Sequence, residues 1–148
     1  MSLHSRLQQR AAQGKPIRVG LIGAGKFGSM YLAQVPRTPG VHLAAIADLS
    51  PDNARANLAR VGWKPERTQA GSIDEALKTG ATHVGADWQA LVRHPAIDVV
   101  VECTGHPIAA VDHCLDAFGG DRVVFATNWP VCNRGGSMRQ WVQTLREV

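Results

Sequence analysis

The sequence predicts an α/β fold in which a mostly parallel, doubly wound sheet forms a single domain. Apolar runs of strand length alternate along the chain with segments of helical periodicity. A glycine-rich turn follows the first apolar run, and 45% of the 148 residues are hydrophobic, which suffices for a substantial core. Because parallel strands need long crossover connections, usually helices, this alternation is typical of a parallel sheet.

The first predicted element is a short amphipathic helix. Within residues 1–14, Leu3, Leu7 and Ala11 recur at four-residue spacing, and Gly14 ends the pattern. We expect this helix to pack on an edge of the sheet or on a partner protein. The polar character of the segment also argues against a signal peptide.

A strand predicted over 17–22 leads into a Gly-x-Gly-x-x-Gly turn at Gly23, Gly25 and Gly28. The first glycine allows the tight turn, the second lets the backbone approach a pyrophosphate, and the third lets the following helix pack against the strand. The helix that opens near Lys26 directs backbone N–H groups and its positive dipole end toward phosphates. The motif predicts a dinucleotide site, and the alternative is an ordinary strand-to-helix turn.

A second strand, predicted over 41–48, ends in Asp48, which lies 25 positions after Gly23. An acid at this spacing is expected to bind the ribose hydroxyls of a dinucleotide, which completes the pattern of a Rossmann NAD(P)-binding fold. The alternative role is that of a helix-capping acid. A carboxylate favours NAD, because it repels a 2′-phosphate, but Ser50 and Arg55 could offset this for NADP. The choice between NAD and NADP stays open.

The elements after Asp48 continue the alternation. Three residues are placed to cap helices, because their side chains can accept hydrogen bonds from the first helical turn: Ser50, Ser72 and Asp87. The apolar run 97–103 is typical of a strand buried on both faces, so we expect a central strand there. The predicted helices span 50–61, 72–79, 87–93, 108–118 and 137–147, and the predicted strands span 82–85, 97–103 and 122–127.

The loop after the 97–103 strand contains Thr104, Gly105 and His106. Open α/β sheets bind ligands beyond the carboxyl ends of their strands, so we expect this loop to line the nicotinamide half of the cofactor. His106 could exchange protons near neutral pH, and the alternative is a loop histidine that faces solvent. No catalytic residue is assigned from the sequence.

Composition excludes several classes of partner and site. The net charge is +4, but the basic residues are scattered, so no nucleic-acid partner is expected. The longest apolar runs have strand length, so no membrane span is expected. Cys103, Cys114 and Cys132 form no Cys-x-x-Cys pattern, which argues against a metal site and a disulfide framework. Reduced thiols favour a cytoplasmic location.

Several stretches carry a family resemblance, above all the string Gly-Lys-Phe-Gly-Ser-Met at 25–30. With residues 14–24, 34–39, 47–48, 61–63 and 97–105, it resembles bacterial NAD(P)-dependent oxidoreductases related to homoserine dehydrogenase. The chain is most similar to their deoxyxylulose-phosphate reductoisomerase-like group, which carries a C-terminal SAF-type domain. In that family the substrate and catalytic residues come largely from a second domain that would follow this chain.

The resemblance implies a set of cofactor contacts. The adenosine ribose would be bound by Asp48 and the nicotinamide-side ribose by Thr104 with Gly105. The pyrophosphate would be bound by Gly23, Gly25, Lys26, Phe27 and Gly28. The complete set of expected cofactor-binding residues is Gly23, Ala24, Gly25, Lys26, Phe27, Gly28, Asp48, Thr104, Gly105 and His106.

The segment 119–148 is atypical of such a domain. Residues 118–142, which include Asn128-Trp129-Pro130, resemble the C-terminal end of lactonase-type amidohydrolases. Those enzymes usually carry aspartate where this chain has Asn128, and their His-x-His pair is absent from this sequence. A (β/α)₈ barrel also needs about 200 residues or more, so hydrolysis is not expected. A fusion, a frameshift, an artificial sequence and ordinary divergence remain open as the origin of the segment.

The expected function is therefore that of an NAD(P)-binding domain of an oxidoreductase, which transfers hydride to or from a small hydroxy or carbonyl substrate. The substrate is not specified, and the chain is expected to lack the catalytic domain. One alternative is a non-catalytic Rossmann module for cofactor sensing or dimerisation, and another is a remnant of an amidohydrolase fusion. An apolar face left by a missing domain would favour a homo-oligomer.

Overall fold

The computed structural model describes residues 2–124. The chain divides into two compact units, Met1–Thr104 and Gly105–Val148. Across the described residues, no helix is both long enough and apolar enough to cross a membrane.

The first unit is an α/β layer structure, as the sequence predicts. Its strands are β1 (Ile17–Ile22), β2 (Val41–Ala47), β3 (His83–Gly85) and β4 (Val99–Glu102). All the pairings between them are parallel, and the order across the sheet is β3-β2-β1-β4. Its helices are α1 (Leu3–Ala12), α2 (Lys26–Gln34), α3 (Pro51–Arg60), α4 (Ile73–Thr79) and α5 (Trp88–Arg93), with 3₁₀ turns at Val35–Arg37 and Pro65–Thr68.

Helices cover both faces of the sheet, because successive residues of β1 point to opposite sides. Val19 and Leu21 pack with Leu32 of α2 and Leu58 of α3 in one buried cluster. On the other face, a Cβ at Gly20 would lie 2.5 Å from Cδ2 of Leu91 in α5, so the absence of a side chain lets α5 approach the strand. The doubly wound arrangement is confirmed.

A buried hydrogen bond fixes the chain after α3 against α2. The indole Nε1 of Trp63 donates to the Leu32 carbonyl at 2.8 Å, and the Trp63 side chain is buried. The Arg67 guanidinium lies over the Trp63 ring, 4.9 Å from its centroid. The tryptophan is thus an anchor of the core, and its polar edge has a partner, as a buried indole requires.

The helix caps follow the predicted pattern with one difference. The Ser72 hydroxyl accepts from the Glu75 N–H at 3.1 Å, and the Asp87 carboxylate accepts from the Ala90 N–H at 2.9 Å. Ser50 occupies the N-cap of α3, but its side chain makes no capping hydrogen bond. The first two caps explain why α4 and α5 begin where the sequence predicts.

The N-terminal helix is confirmed as α1, which ends before Gly14. It contains no buried residue, and Leu3 is largely exposed. The Leu7 carbonyl lies against Gly40, directly before β2, so α1 contacts the chain at the amino end of that strand. Ser2 caps the helix by accepting from the Ser5 N–H at 3.1 Å.

The prediction that 97–103 forms a central strand, buried on both faces, is wrong for the described structure. β4 covers only Val99–Glu102, and within residues 2–124 its one strand neighbour is β1. Val99 is 45% exposed, and the other residues of β4 are half-buried. An apolar run predicts a strand with buried side chains, but it does not predict whether that strand has neighbours on both sides.

The second unit begins with α6 (Pro107–Phe118), which confirms the helix predicted there, and continues with a 3₁₀ turn at Gly120–Arg122. The strand predicted over 122–127 is wrong where the structure describes it, since Arg122 ends that turn and Val124 is almost fully exposed. The Arg122 Nε donates to the Phe118 carbonyl at 2.6 Å, which turns the chain back toward the helix. Residues 125–127, Asn128 and the helix predicted over 137–147 lie outside the described residues.

Candidate functional site

The candidate site lies where three neighbouring strands end. The Gly23 N–H donates to the Ala47 carbonyl at 2.8 Å, and the Cys103 N–H donates to the Ile22 carbonyl at 2.7 Å. The carboxyl ends of β2, β1 and β4 are therefore level. β1 lies between β2 and β4 in the sheet, and the chain continues from β1 to β2 and reaches β4 only later. The loop after β1 therefore lies at the topological switch point, where α/β folds bind ligands.

Two of the three motif glycines are required by the fold itself. Gly23 has a φ of +87°, and a Cβ there would lie 2.9 Å from the backbone of Cys103 and Thr104. A Cβ at Gly28 would lie 2.5 Å from the Gly23 carbonyl oxygen, so this glycine lets α2 lie against the turn. Both positions match the mechanical roles that the sequence predicts for them.

Gly25 differs from both, because the fold does not require it. Apart from its chain neighbours, no atom of the described residues lies within 4 Å of the position that its Cβ would occupy, and the residue is exposed. Its φ of −73° and ψ of −157° are open to any residue. The absence of a side chain therefore leaves free space over the turn, in front of the helix that follows.

The amino terminus of α2 faces this free space. Gly25 is its N-cap and provides no side chain, and the first turn contains no acidic residue. Gly25, Lys26 and Phe27 are exposed. A helix start without a side-chain cap presents backbone N–H donors together with the positive end of the helix dipole, which is the arrangement that binds phosphate groups.

Asp48 follows β2 and reaches the same loop. Its Oδ2 accepts from the Ala24 N–H at 2.8 Å, and its Oδ1 accepts from the Ser50 N–H at 2.9 Å. The side chain is half-buried, and each carboxylate oxygen retains a further lone pair. The carboxylate is thus fixed beside the glycine loop, where it can accept a hydroxyl hydrogen bond. Asp48 also takes part of the alternative capping role, because it binds the N–H of Ser50, the N-cap residue of α3.

Asn57 is a site residue that the sequence analysis missed. Its Nδ2 donates to the Ala24 carbonyl at 2.8 Å, from the second turn of α3. One sequence signal could have found it: Asn57 lies three positions after Ala54 and directly before Leu58, so a polar side chain falls beside the buried stripe of the helix. Such a side chain needs a partner.

The loop after β4 forms the other wall of the site. The Thr104 N–H donates to Glu102 Oε1 at 2.8 Å, and the Thr104 backbone lies against Gly23, as the glycine contacts above show. Gly105 and His106 belong to the second unit, where Gly105 has a φ of +78° and His106 is the exposed N-cap of α6. The first unit thus brings together 23–28, Asp48 and Thr104, whereas the roles of Gly105 and His106 stay predictions.

The thiol beside the site is poorly suited to nucleophilic chemistry. Burial, and secondarily the charge of Glu102, raises the pKa of Cys103. Burial, and secondarily Cys103, also raises the pKa of Tyr31. Since the thiolate is the nucleophilic form, Cys103 stays protonated near neutral pH. Among residues 2–124, no group of three or more His, Cys, Asp or Glu side chains is arranged to hold a metal ion.

Two shallow cavities lie away from the glycine loop. One, of about 340 Å³, is lined by α4, α5 and β3 and contains a pair in which His94 Nε2 lies 3.4 Å from Asp74 Oδ1. The other, of about 420 Å³, lies beside Arg55 and His83. In the first cavity, His94 also accepts a hydrogen bond at Nδ1 from the Ala96 N–H at 3.2 Å, so the backbone fixes its ring beside Asp74. Neither cavity includes a residue of the motif.

The comparisons with known proteins concern the C-terminal part of the chain. Residues 80–147 match a family model described as amidohydrolase (Amidohydro_2), which is less than half of the chain. No curated protein matches the chain. The match supports the resemblance predicted for 118–142, and it begins earlier than predicted, before β3.

The matched segment does not have barrel connectivity where the structure describes it. Consecutive strands are neighbours in a (β/α)₈ barrel. Here β3 pairs with β2 and β4 pairs with β1, so two further strands separate them in an open sheet. From β3 to β4, the chain is similar in sequence to an amidohydrolase segment, yet it completes the sheet that carries the glycine loop.

Proposed function

We propose that this chain binds a nicotinamide dinucleotide at the glycine loop and serves as the cofactor domain of an oxidoreductase. One observation carries the proposal: the fold accounts for Gly23 and Gly28 but not for Gly25, which keeps open the space in front of an uncapped helix start. A bound pyrophosphate would need that space and those N–H donors.

Different residues of the candidate site would bind different parts of such a cofactor. The backbone of 25–28 would bind the pyrophosphate, and Asp48 would accept from the adenosine ribose hydroxyls. Thr104 borders the switch point, on the side expected for the nicotinamide. The cofactor itself would supply the hydride chemistry, whereas the chain contributes binding and orientation.

The contacts around Asp48 favour NAD over NADP. A carboxylate repels a 2′-phosphate, and Arg55 is poorly placed to compensate. Its guanidinium donates to the Val84 carbonyl at 3.0 Å and to Asp52 at 3.2 Å. These two hydrogen bonds hold the guanidinium toward β3 and α3, so Arg55 would have to reorient to direct a pair of N–H donors at a 2′-phosphate.

Calorimetric titration of the protein with NADH and NADPH tests this proposal. We expect saturable binding of both, with NADH at least about tenfold tighter, which corresponds to about 1.4 kcal/mol. Absence of binding to either dinucleotide would overturn the proposal. Binding without turnover of any hydroxy or carbonyl compound would favour the non-catalytic sensing or dimerising module instead.

A second candidate function comes from the amidohydrolase match over 80–147. On this view the matched segment is a remnant of a hydrolase joined to a nucleotide-binding unit. Metal-assisted hydrolysis needs at least three protein ligands around the ion, and residues 2–124 contain no such group. A lactone-hydrolysis assay with added Zn²⁺ or Mn²⁺ separates the candidates: we expect no metal-dependent turnover, and turnover would favour the hydrolase.

A further inference from the structure

Both backbone polar groups of Ala24, inside the glycine loop, are bound by side chains from other elements. Its N–H donates to Asp48 after β2, and its carbonyl accepts from Asn57 of α3, each at 2.8 Å. Ala24 has no exposed surface. Its polar groups therefore depend on these two side chains and not on bulk water.

This double attachment controls the backbone that precedes Gly25. Glycines on both sides of Ala24 permit many backbone conformations, which would have to be restricted before a pyrophosphate could bind. One hydrogen bond fixes the peptide plane between residues 23 and 24, and the other fixes the plane between residues 24 and 25, so together they restrict the φ and ψ of Ala24. A loop that is ordered in advance loses less entropy on binding and so binds more tightly.

We propose that Asn57 is a positioning residue for the dinucleotide loop: from α3, it holds the Ala24 carbonyl and thereby sets the direction of the N–H groups at the start of α2. The inference rests on the proposed dinucleotide site, and it adds a residue outside the motif to that site. Asp48 and Asn57 then act as a pair, one on each of the two peptide groups that meet at Ala24.

A simpler view is that Asn57 only satisfies a buried carbonyl, which contributes to stability alone. Thr82 provides a matched control for this view. Its hydroxyl donates to the Leu43 carbonyl at 2.6 Å in a buried position, away from the loop. Asn57→Leu and Thr82→Val each remove one side-chain donor from a backbone carbonyl while keeping the number of non-hydrogen side-chain atoms.

The test compares the two variants with the wild type in two measurements. Hydrogen exchange of the ligand-free protein reports the order of the loop amides at 24–28. Titration with ADP and with adenosine reports the pyrophosphate and ribose contacts separately. For Asn57→Leu we expect at least about fivefold faster exchange at 24–28 and about five- to tenfold weaker ADP binding, because a lost hydrogen bond is worth about that much. We expect adenosine binding to change less than about twofold.

The outcomes distinguish this inference from the proposed function. Unchanged exchange at 24–28 in Asn57→Leu would overturn the positioning role, whether or not a ligand binds. Faster exchange with unchanged ADP affinity would overturn it as well. Equal losses of ADP affinity in Asn57→Leu and Thr82→Val would show a general stability effect and also overturn it. If the wild type binds neither ADP nor NADH, the dinucleotide function falls, and with it the role of Asn57 toward a cofactor, while faster exchange would still establish its hold on the loop.

Discussion

Two parts of the parallel sheet, the β1–β2 side and the β4 side, differ in how deeply their side chains are buried in the first unit. On the β1–β2 side, Leu21 and Ile46 are almost completely buried, and helices α2 and α3 cover one face. On the β4 side, the strand has one described neighbour, and its residues are half-buried or exposed. The candidate pyrophosphate and ribose contacts belong to the first side, and only Thr104 belongs to the second. The better-packed side therefore provides most of the proposed binding site.

The largest expected effect compares one core residue from each side. Leu21→Ala should destabilise the protein by about 3 kcal/mol, because Leu21 is fully buried and the surrounding core cannot close the cavity. Val101→Ala on β4 should cost about 1 kcal/mol, because Val101 is only half-buried. Urea unfolding followed by circular dichroism measures both. Equal losses would contradict the comparison.

The next effect concerns Gly23, where the two sides meet. Gly23→Ala should destabilise by about 2 kcal/mol, since a Cβ would press on the backbone after β4 and the residue has a positive φ. Gly25→Ser should leave stability within about 0.5 kcal/mol, because its Cβ meets no protein atom and serine is a good N-cap. Thermal melts of the two variants check this contrast, and a large loss for Gly25→Ser would show that the fold also requires the second glycine.

The smallest expected effect concerns the ion pair between the amino end of β1 and the residue before β4. Arg18 at the start of β1 donates to both carboxylate oxygens of Asp98, which precedes β4, at 3.0 Å each. The side-chain hydrogen bond from Arg18 lowers the pKa of Asp98, although burial opposes it. Since the folded pKa lies below the unfolded value of about 3.9, this stabilisation is present above that pH and is lost as the pH falls through the folded pKa.

The pair is partly exposed, so screening keeps its contribution below about 1 kcal/mol. Asp98→Asn should lower the stability at pH 7 by less than about 1 kcal/mol and reduce the acid-induced loss of stability below about pH 4. Urea unfolding at a series of pH values, with Asp52→Asn as an exposed control, measures the difference. An unchanged pH profile would rule out a stabilising ion pair at this junction.

The better-packed side was also the more predictable from the sequence. The strand 17–22, the motif glycines and Asp48 were predicted because each signal is local: a turn with restricted geometry, or an acid at a fixed distance along the chain. Two sequence-predicted helix caps, Ser72 and Asp87, are confirmed for the same reason.

The remaining features depend on contacts that a single sequence does not encode locally. Asn57 reaches Ala24 across 33 residues, and no motif marks that spacing. The apolar run 97–103 predicted a strand correctly, but its place at the outside of the described sheet depends on which segments pair with it. The strand predicted over 122–127 does not begin at Arg122, because Arg122 bonds back to the end of α6.

In the proposed site, Gly25 leaves space for a dinucleotide and is not a requirement of the fold. Calorimetric titration with NADH of Gly25→Val, beside Gly120→Val, tests this role, because neither glycine has a described atom other than those of its chain neighbours within 4 Å of its Cβ position. We expect both variants to stay folded, Gly120→Val to bind NADH like the wild type, and Gly25→Val to lose binding by at least about a hundredfold, or about 2.7 kcal/mol. Equal NADH affinity in the two folded variants would contradict this role of Gly25.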